Sequence, residues 1–347
     1  MAPAEAKPTP AALSVVVTVR DDRDELVLLL DSLAAQTRPP IEVIIVDGGS
    51  TDGTRELAET WQPETFPVRL IDAPGANISA GRNIGIDAAE TEWVACTDAG
   101  CRPVEGWLQA FDEGRGSADL LAGIYIVAGE TPFERALAVA LYPQPDEIGD
   151  DSLFVRGWQR LFGKRYEASR AATRSIAFTK EAWRVAGGFP EHVYAGEDPA
   201  FSQAVLHAGL DVALAPGAAV YWRPRPTWGA NARMYRGYAR GSVGTGAFAR
   251  HLIRALAWGA APVLLLRGGP GGRLAVTAWW VAYLSLPMRR AHRDGMSVSD
   301  WWRLPLVIAM KDLSQLAGAT LGVADRLRGR QVAPAKPATT RPRQPQA

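Results

Sequence analysis

Apolar and polar residues alternate along the first half of the chain in two distinct patterns. Short unbroken apolar runs rich in Val and Ile are typical of strands that are buried on both faces of a parallel sheet. Longer segments with apolar residues three or four positions apart are typical of helices that pack on such a sheet. The runs that predict strands are 13–19, 41–46, 68–71, 93–96 and 119–127.

Helical segments are predicted between these strands. Strands that alternate with helices predict an α/β fold, with a doubly wound, mostly parallel sheet flanked by helices. Asp52 is predicted to be the N-cap of one helix, and 77–83 to be a turn before another. The segments with helical spacing are 25–36, 84–89, 104–113 and 133–141.

Two aspartates lie just beyond the ends of predicted strands. Asp47 comes after the strand 41–46, and Asp98 comes after 93–96 within a run of small residues suited to a turn. In an open α/β sheet, ligands bind beyond the carboxyl ends of the strands, so these side chains face a candidate site. Taken alone, an aspartate in such a position is more often a turn or capping residue.

The turn after the first strand is charged rather than glycine-rich. It reads Arg20-Asp21-Asp22-Arg23-Asp24, and no Gly-x-Gly-x-x-Gly follows the strand. Three clustered carboxylates are a poor cradle for a pyrophosphate, so a dinucleotide-binding dehydrogenase is not favoured.

Six motifs, in order along the chain, resemble those of the family 2 glycosyltransferases, which have a GT-A fold. The similarity is to the type that builds bacterial polysaccharides or glycolipids. One such motif would be a weak signal, whereas six in order make a strong one. The motifs are SVVVTVRDD (14–22), VDGGSTDGT (46–54), AGRNIG (80–85), TDAGC (97–101), GGFPE (187–191) and GEDPAFSQAVLHAG (196–209).

The resemblance implies a set of donor-binding residues. Asp47 would accept a hydrogen bond from a uracil or guanine base, and Arg82 would bind the base or the diphosphate. Each also has an ordinary structural interpretation, Asp47 as a turn residue and Arg82 as a solvated helix cap. Thr18, Asp98 and Arg225 complete the predicted donor-binding set.

The resemblance also implies a catalytic base. In the family, the aspartate of a Glu-Asp pair takes the proton from the acceptor, and here that pair is Glu197 and Asp198. Because Pro199 follows at a favoured first helical position, Asp198 is also predicted to be an N-cap. A carboxylate can serve both purposes, since its second oxygen stays free.

A divalent cation, Mg²⁺ or Mn²⁺, is expected at Asp98. Asp98 occupies the first position of the family's Asp-x-Asp motif, but Gly100 stands where the second acid usually lies. Fewer carboxylates bind a hard cation more weakly. Cys96 and Cys101 flank this segment, but no disulfide framework or metal-ligand spacing accompanies them.

The acceptor side is less defined by the sequence. Arg174 and Ser175 lie in a segment that resembles the one beside the family's acceptor site. The acidic loop 146–151 either lines the acceptor cleft or is solvated surface. Five arginines suit a diphosphate, a lipid phosphate or a basic surface near a membrane. They are Arg223, Arg225, Arg233, Arg236 and Arg240.

Charge and hydropathy separate the C-terminal third from the rest. From Arg223 onward there are 20 Lys and Arg against four acidic residues, whereas the first 222 residues carry 18 basic and 33 acidic ones. Two uncharged apolar stretches, 255–266 and 274–288, are shorter than the ~20 residues that span a bilayer. A membrane hairpin, in-plane interfacial helices and a soluble helical subdomain all remain possible.

Four regions are therefore predicted. They are a flexible tail (1–12), a GT-A catalytic domain (13–229), a helical membrane-associating region (230–325) and a disordered basic tail (326–347). Because no signal-peptide pattern precedes the first strand, the catalytic domain is expected at the cytoplasmic face of the membrane. A nucleic-acid partner is not expected, since a basic nucleic-acid-binding region would need no apolar stretches.

The predicted function is inverting, hexosyltransferase-like sugar transfer. The donor would be a nucleotide sugar and the acceptor a glycan or a lipid-linked molecule. Two alternatives stay open. The missing second acid at Gly100 gives some support to a catalytically weak scaffold of the same fold. A nucleotidyltransferase on a related fold is less favoured, because no Gly- and Lys-rich loop follows the first strand.

Overall fold

The computed structural model describes residues 9–163, 165–193, 196–241, 243 and 248–328. Most of the two predicted tails, 1–12 and 326–347, lies outside the described residues.

In the described part of the chain, eight strands form one mixed sheet. Their order is β3-β2-β1-β4-β7-β6-β8-β5, with the first four strands mutually parallel and β7 and β5 antiparallel to their neighbours. The predicted doubly wound α/β sheet is thus confirmed. The strands are β1 (Leu13–Val19), β2 (Glu42–Asp47), β3 (Val68–Asp72), β4 (Trp93–Asp98), β5 (Cys101–Pro103), β6 (Leu120–Val127), β7 (Ile176–Thr179) and β8 (Val212–Trp222).

Helices cover both faces of the sheet and form the C-terminal region. Those of the first 210 residues are α1 (Arg23–Ala34), α2 (Thr54–Thr60), α3 (Ile78–Ala88), α4 (Trp107–Gly114), α5 (Pro132–Leu141), α6 (Leu153–Leu161), α7 (Lys180–Val185) and α8 (Glu197–His207). The remaining helices are α9 (Trp228–Gly241), α10 (Phe248–Arg267), α11 (Gly269–Arg293) and α12 (Arg303–Leu327).

The strand alternation sends apolar side chains into two cores. On β1, Val15 and Val17 join a core with the leucines of α1, and Val16 joins the core on the opposite face. The second core contains three packed aromatic rings, Phe178, Phe189 and Phe201. Burial on both faces explains why the parallel strands are unbroken apolar runs.

The predicted turn at 77–83 is wrong, because these residues form most of α3. Asn77 caps this helix by accepting a hydrogen bond from the Ala80 N–H at 2.9 Å. The glycines at 81 and 85 are there for close packing. A Cβ on Gly85 would lie 2.5 Å from Val16, so only glycine lets α3 approach the sheet this closely.

Two predicted N-caps are also wrong, because a glycine occupies each cap position. Gly53 precedes α2 with φ 90°, and Gly196 precedes α8 with φ 94°, a region that favours glycine. Asp52 instead accepts the Thr54 N–H at 3.1 Å. Asp198 lies within the first turn of α8, which leaves its carboxylate available for other contacts.

The C-terminal helices share a core with the helices that precede them. Trp158 of α6 packs with Tyr283 and Leu286 of α11, and its indole N–H donates to the Tyr283 carbonyl at 3.1 Å. Val307 of α12 joins the same core. The predicted division between 229 and 230 therefore does not separate two hydrophobic cores.

One helical stretch of the described chain, Val298–Leu327, is long and apolar enough to cross a membrane. This holds by length and composition only, and core helices of soluble proteins meet the same criterion. Of the two stretches predicted to form a membrane hairpin, 255–266 lies in α10 and 274–288 lies in α11. Because Tyr283 and Leu286 are buried in the shared core, that half of α11 faces protein.

Candidate functional site

The carboxyl ends of three adjacent strands bring two predicted site residues to one edge of the sheet. β1 lies between β2 and β4, and its pairing places Val19 beside Asp47 and Thr18 beside Asp98. Asp47 and Asp98 therefore flank the end of β1, as the sequence predicts. The methyl group of Thr18 faces Gly81 of α3, so this residue also packs against the helix that carries Arg82.

Asp47 is buried and fixed by its own turn. Its carboxylate accepts from the Ser50 N–H, at 3.0 and 3.2 Å, and from the Ser50 hydroxyl. The preceding loop locks onto this turn, because Asp21 accepts from the Thr51 N–H at 2.7 Å. Asp47 thus stabilises its own turn, as one interpretation of the sequence predicted. Its hydrogen bond to a uracil or guanine base stays a prediction.

Arg82 is the centre of an ionic cluster. Its side chain is 2% exposed, and its guanidinium reaches Asp98 at 2.9 Å, Glu197 at 3.3 Å and Asp198 at 3.4 Å. The same group lies over the Phe189 ring, 5.5 Å from its centroid. Residues from α3, β4 and α8, far apart in sequence, therefore meet at one point. Arg82 is not the solvated helix cap that the sequence also allowed.

The cluster carries more negative than positive charge. Burial alone would lower the pKa of Arg82, but Asp98, Asp198 and Glu197 together raise it above its ordinary value. The pKa of Glu197 is raised to about 7, by burial first and then by the charge of Asp198. Since the two carboxylates repel each other in a partly buried place, Glu197 holds a proton more readily than an isolated glutamate does.

Thr173 positions Asp198 and was missed by the sequence reasoning. Its hydroxyl donates to one carboxylate oxygen of Asp198 at 2.9 Å, and its N–H to the other at 3.2 Å. The only signal was its place in the segment 168–178, from which Arg174 and Ser175 were chosen instead. A threonine one position earlier holds the predicted base.

Ser175 has a structural role. It is buried, accepts from the Trp107 indole N–H at 2.8 Å and donates to the Ala218 carbonyl at 2.7 Å. Its O–H proton and one lone pair are thus used inside the core, and a role toward an acceptor stays a prediction. Arg174, its neighbour, is half-buried at the sheet edge.

The five arginines between 223 and 240 do not act as one group. Arg223 pairs with Glu130 at 2.7 Å and with the buried Glu134 at 3.0 Å. Arg240 pairs with Asp325 of α12. Arg225 is exposed, and among the described contacts its side chain does not join the ionic cluster. Arg223 and Arg240 thus already have carboxylate partners, and the role of Arg225 stays a prediction.

The acidic loop 146–151 is only partly solvated surface. Glu147 is buried and paired with Arg290 of α11 at 2.6 Å. Asp150 and Asp151 border a cavity of about 410 Å³. Its wall includes Tyr166 and Ser169, which lie on the segment leading to Thr173. The loop therefore lines a cavity beside the chain that positions Asp198.

The donor set for a cation is small. Within the described residues, no group of three His, Cys, Asp or Glu side chains could hold a metal ion. A Cβ on Gly100 would meet nothing within 4 Å, so the missing second acid leaves open space. With Asp98 as the single carboxylate ligand, Mg²⁺ or Mn²⁺ would bind only if the phosphates of the substrate supplied further ligands. Both cysteines are free, and burial raises the pKa of each thiol to about 12.

Comparison with known proteins gives one family and several relatives. Residues 14–113 match the family model described as glycosyl transferase family 2. Glycosyltransferase AglE of Haloferax volcanii is 26% identical over 209 residues, which cover 58% of this chain and 64% of AglE. Succinoglycan biosynthesis protein ExoA of Rhizobium meliloti is 25% identical over 275 residues, covering 76% of this chain and 78% of ExoA.

A third relative and a solved structure extend the similarity. O-antigen chain rhamnosyltransferase WbaN of Salmonella anatum is 23% identical, covering 53% of this chain and 57% of WbaN. The matches to AglE and WbaN thus span less than two thirds of either protein. The structure of mannosyltransferase PcManGT from Pyrobaculum calidifontis, in complex with GDP-Man and Mn²⁺, covers 93% of this chain and 91% of its own. Its TM-score of 0.50 at 16% identity confirms the GT-A fold.

Proposed function

We propose that this chain, which belongs to the family 2 glycosyltransferases, transfers a sugar from a nucleotide-sugar donor to an acceptor hydroxyl with inversion. The observation that carries the proposal is the cluster in which Arg82 contacts Asp98, Glu197 and Asp198. It combines, at the carboxyl edge of the sheet, a donor-side acid with a candidate base. Similarity to a succinoglycan biosynthesis protein and to an O-antigen chain rhamnosyltransferase supports a glycan acceptor, either free or linked to a lipid.

Asp198 is proposed to take the proton from the acceptor hydroxyl. Thr173 holds both oxygens of its carboxylate, which fixes the direction of the remaining lone pairs. The acceptor oxygen attacks the anomeric carbon in line, and the bond from that carbon to the diphosphate breaks with its electron pair. Glu197, whose pKa is raised to about 7, holds Arg82 in place and limits the local negative charge when it is protonated.

The donor is proposed to enter along Asp47, Thr18, Arg82 and Asp98. A diphosphate is itself anionic, and one arginine does not offset three carboxylates, so added positive charge is needed for it to bind. Asp98 would hold Mg²⁺ or Mn²⁺ together with the phosphates. When bound, the cation would offset the charge that develops on the departing diphosphate. Arg225 remains a proposed contact from the exposed loop after β8.

The acceptor is proposed to approach past the cavity bordered by the loop 146–151. This cavity adjoins Ser169, whose carbonyl accepts from Gln203 of α8 at 2.7 Å. The cavity therefore borders the segment that leads to Thr173, and this segment is hydrogen-bonded to the helix that carries Asp198. Its mixture of acidic, basic and aromatic side chains suits a polar glycan, since sugars offer many hydroxyls and few charges.

Attachment at the cytoplasmic face of a membrane is proposed through the bend between α10 and α11. Arg267 and Arg273 are exposed there among exposed apolar side chains. Such a surface suits shallow binding at anionic lipid headgroups, and the packing of α11 on protein disfavours a spanning hairpin. The exposed apolar side chains are Leu256, Val263, Leu264, Leu265, Leu266, Leu274, Trp279 and Val281.

The function is tested by a thermal-shift screen of UDP- and GDP-sugars with and without Mn²⁺. A ligand that binds only the native state raises the melting temperature. At a ligand concentration of 100 times its Kd, the free energy of unfolding should rise by about 2.7 kcal/mol. Sugar transfer to a glycan extract is then measured with each donor that shifts the protein. No shift with any donor would favour the scaffold alternative, to which Gly100 lends support. Formation of UTP or GTP and a sugar 1-phosphate when pyrophosphate is added, instead of UDP or GDP, would favour a nucleotidyltransferase.

Membrane attachment is tested by co-sedimentation with vesicles. Vesicles with anionic lipid should retain the full chain, and Leu266→Glu with Leu274→Glu should weaken retention. Equal retention by purely zwitterionic vesicles would contradict the proposed attraction to anionic headgroups. No retention by any vesicle would contradict membrane attachment and favour a soluble helical subdomain.

A further inference from the structure

Arg174 lies at the same sheet edge as Asp98. β4 and β7 are antiparallel, and their pairing runs from Trp93 beside Thr179 to Cys96 beside Ile176. Two more residues along each chain lead to Asp98 and Arg174. The Thr97 hydroxyl donates to the Arg174 carbonyl at 2.8 Å, so the two chains stay together beyond the last strand pair.

Two aromatic rings hold the Arg174 side chain. Its guanidinium carbon lies 4.3 Å from the Trp222 ring centroid and 5.1 Å from that of Tyr125. Cation–π contacts of this kind fix a guanidinium in direction without neutralising its charge. Since Trp222 ends β8 and Tyr125 lies on β6, the rigid sheet itself orients this arginine.

The charge of Arg174 is balanced differently from that of Arg82. Among the described residues, no carboxylate forms an ion pair with Arg174, and its buried Nε has no hydrogen-bond partner. Burial alone would lower its pKa, but Tyr238 and Asp98 are among the groups that raise it, so the side chain stays charged. A buried, unpaired hydrogen-bond donor on a fixed cation calls for an anionic ligand.

A fixed cation matters more in a site that lacks one metal-binding acid. Gly100, three positions after Thr97, leaves open space where a second metal-binding acid would stand. A site with one acid binds a divalent cation weakly and has fewer means to offset a leaving diphosphate. Arg174 supplies a permanent positive charge at this edge without any metal.

We propose that Arg174 binds the diphosphate of the nucleotide-sugar donor and offsets part of the charge that departs with the nucleoside diphosphate. This rests on the proposed function. The step itself is unchanged: the acceptor oxygen forms its bond to the anomeric carbon, the bond from that carbon to the phosphate oxygen breaks, and the electron pair leaves on the diphosphate. The proton goes to Asp198, and Arg174 remains protonated throughout.

The proposal is tested by calorimetric binding of UDP, GDP, uridine and guanosine, in Mn²⁺ and in EDTA. For the diphosphate that binds the unaltered protein, Arg174→Gln should weaken binding about 10- to 100-fold, as for a hydrogen bond to a charged group. The loss should be greater in EDTA, where no cation compensates. Binding of the matching nucleoside should be unchanged, because it has no phosphate. The ratio of the two affinities is a measure that loss of packing alone would not change.

Two further variants complete the test. Arg184→Gln on α7 makes the same change in charge at an exposed surface pair with Glu181, and should leave all affinities unaltered. Arg174→Lys keeps the charge and should keep part of the diphosphate binding. If the melting temperature shows that Arg174→Gln does not fold, the affinities of Arg174→Lys are compared with those of the unaltered protein instead. We then expect a smaller loss of affinity, confined to the diphosphate.

The outcomes separate this proposal from the function on which it rests. If neither UDP nor GDP binds the unaltered protein, both fall. If diphosphate binding is the same in the Arg174 variants, only the role of Arg174 falls. Unchanged diphosphate binding with a raised KM for the acceptor would place the arginine on an acceptor phosphate instead, which also overturns the proposal.

Discussion

Two buried arginines of this protein are used in opposite ways. Arg82 at the sheet edge faces three carboxylates, of which Asp98 is 30% and Asp198 22% exposed. Arg290 of α11 faces one, Glu147, and both are almost fully buried. The second pair is closed by further hydrogen bonds, since Arg290 donates to the Val139 carbonyl at 3.0 Å. Glu147 also accepts from Gln159 at 3.0 Å.

The difference separates a site from a structural contact. Around Arg290 the charges match one to one and the hydrogen bonds are filled, so nothing is left for a ligand. Around Arg82 there is surplus negative charge on carboxylates that solvent can reach, and burial, with the charge of Asp198, raises the pKa of Glu197. Acidic residues with perturbed pKa values in clefts often belong to functional sites, so the unbalanced negative charge around Arg82 marks a candidate active site.

The largest effect is expected from Asp198→Asn. Asparagine keeps the size of the side chain and can still bond Thr173, so the fold should be retained. If Asp198 is the base, transfer should fall about 10²- to 10⁴-fold while UDP or GDP binding survives. Glu197→Gln makes the same change on the adjacent carboxylate and should reduce transfer far less. Rates for both variants decide between them, and the reverse order would make Glu197 the base.

The structural arginine should act on stability. Arg290→Met leaves Glu147 buried and unpaired, so unfolding free energy in urea should fall by about 3–5 kcal/mol. Arg293→Gln, three residues later, breaks an exposed pair with Asp146 and should cost no more than about 1 kcal/mol. Comparable losses for the two variants would show that burial of the Arg290 pair is unimportant.

The raised pKa of Glu197 predicts a dependence of stability on pH. The folded protein holds this proton up to about pH 7, whereas the unfolded chain releases it near its ordinary value of 4.5. Protonated Glu197 therefore favours the fold below pH 4.5, and that contribution is lost as the pH rises through 7. The change is on the order of 1–3 kcal/mol. Glu197→Gln should flatten the profile of unfolding free energy over this interval, and an unaltered slope would contradict the assignment.

The smallest effect is expected at Gly100. Gly100→Asp adds an acid where a Cβ meets nothing within 4 Å, so the fold should accept it. The Mn²⁺ concentration that gives half-maximal transfer should fall by about tenfold, because a further carboxylate joins the ligand set. Gly100→Asn fills the same space without charge and should not change it. Full transfer by the unaltered protein in excess EDTA would remove the cation from the proposal.

The sequence was sufficient where the physical cause is local. The strand Leu13–Val19 has the predicted bounds because a strand that is buried on both faces requires an unbroken apolar run. Asp47 and Asp98 fall at one edge because parallel strands align their carboxyl ends. Local patterns could not show that Arg82 reaches Glu197, 115 positions away.

The errors have a common cause in close packing. Gly81 in α3 suggested a turn, whereas glycine suits the helix there because a Cβ would lie 3.0 Å from the Thr18 methyl group. The acidic loop that contains Glu147 suggested solvent-exposed surface. In the structure, the charge of Glu147 is paired with Arg290, 143 positions later. Thr173 carried no pattern of its own. Contacts between distant segments decide the meaning of such residues, and a single sequence does not display them.

The core that joins α5 and α6 to α11 and α12 has a consequence for synthesis on the ribosome. Leu137 and Trp158 are made long before Leu286 and Val307, which cover them in the finished protein. A nascent chain that has completed β1 to β8 thus still presents apolar helix faces to chaperones or to a nearby lipid surface. Translation must continue past residue 308 before the last core can close, so premature termination in this region should leave an aggregation-prone product even though the whole sheet has been made.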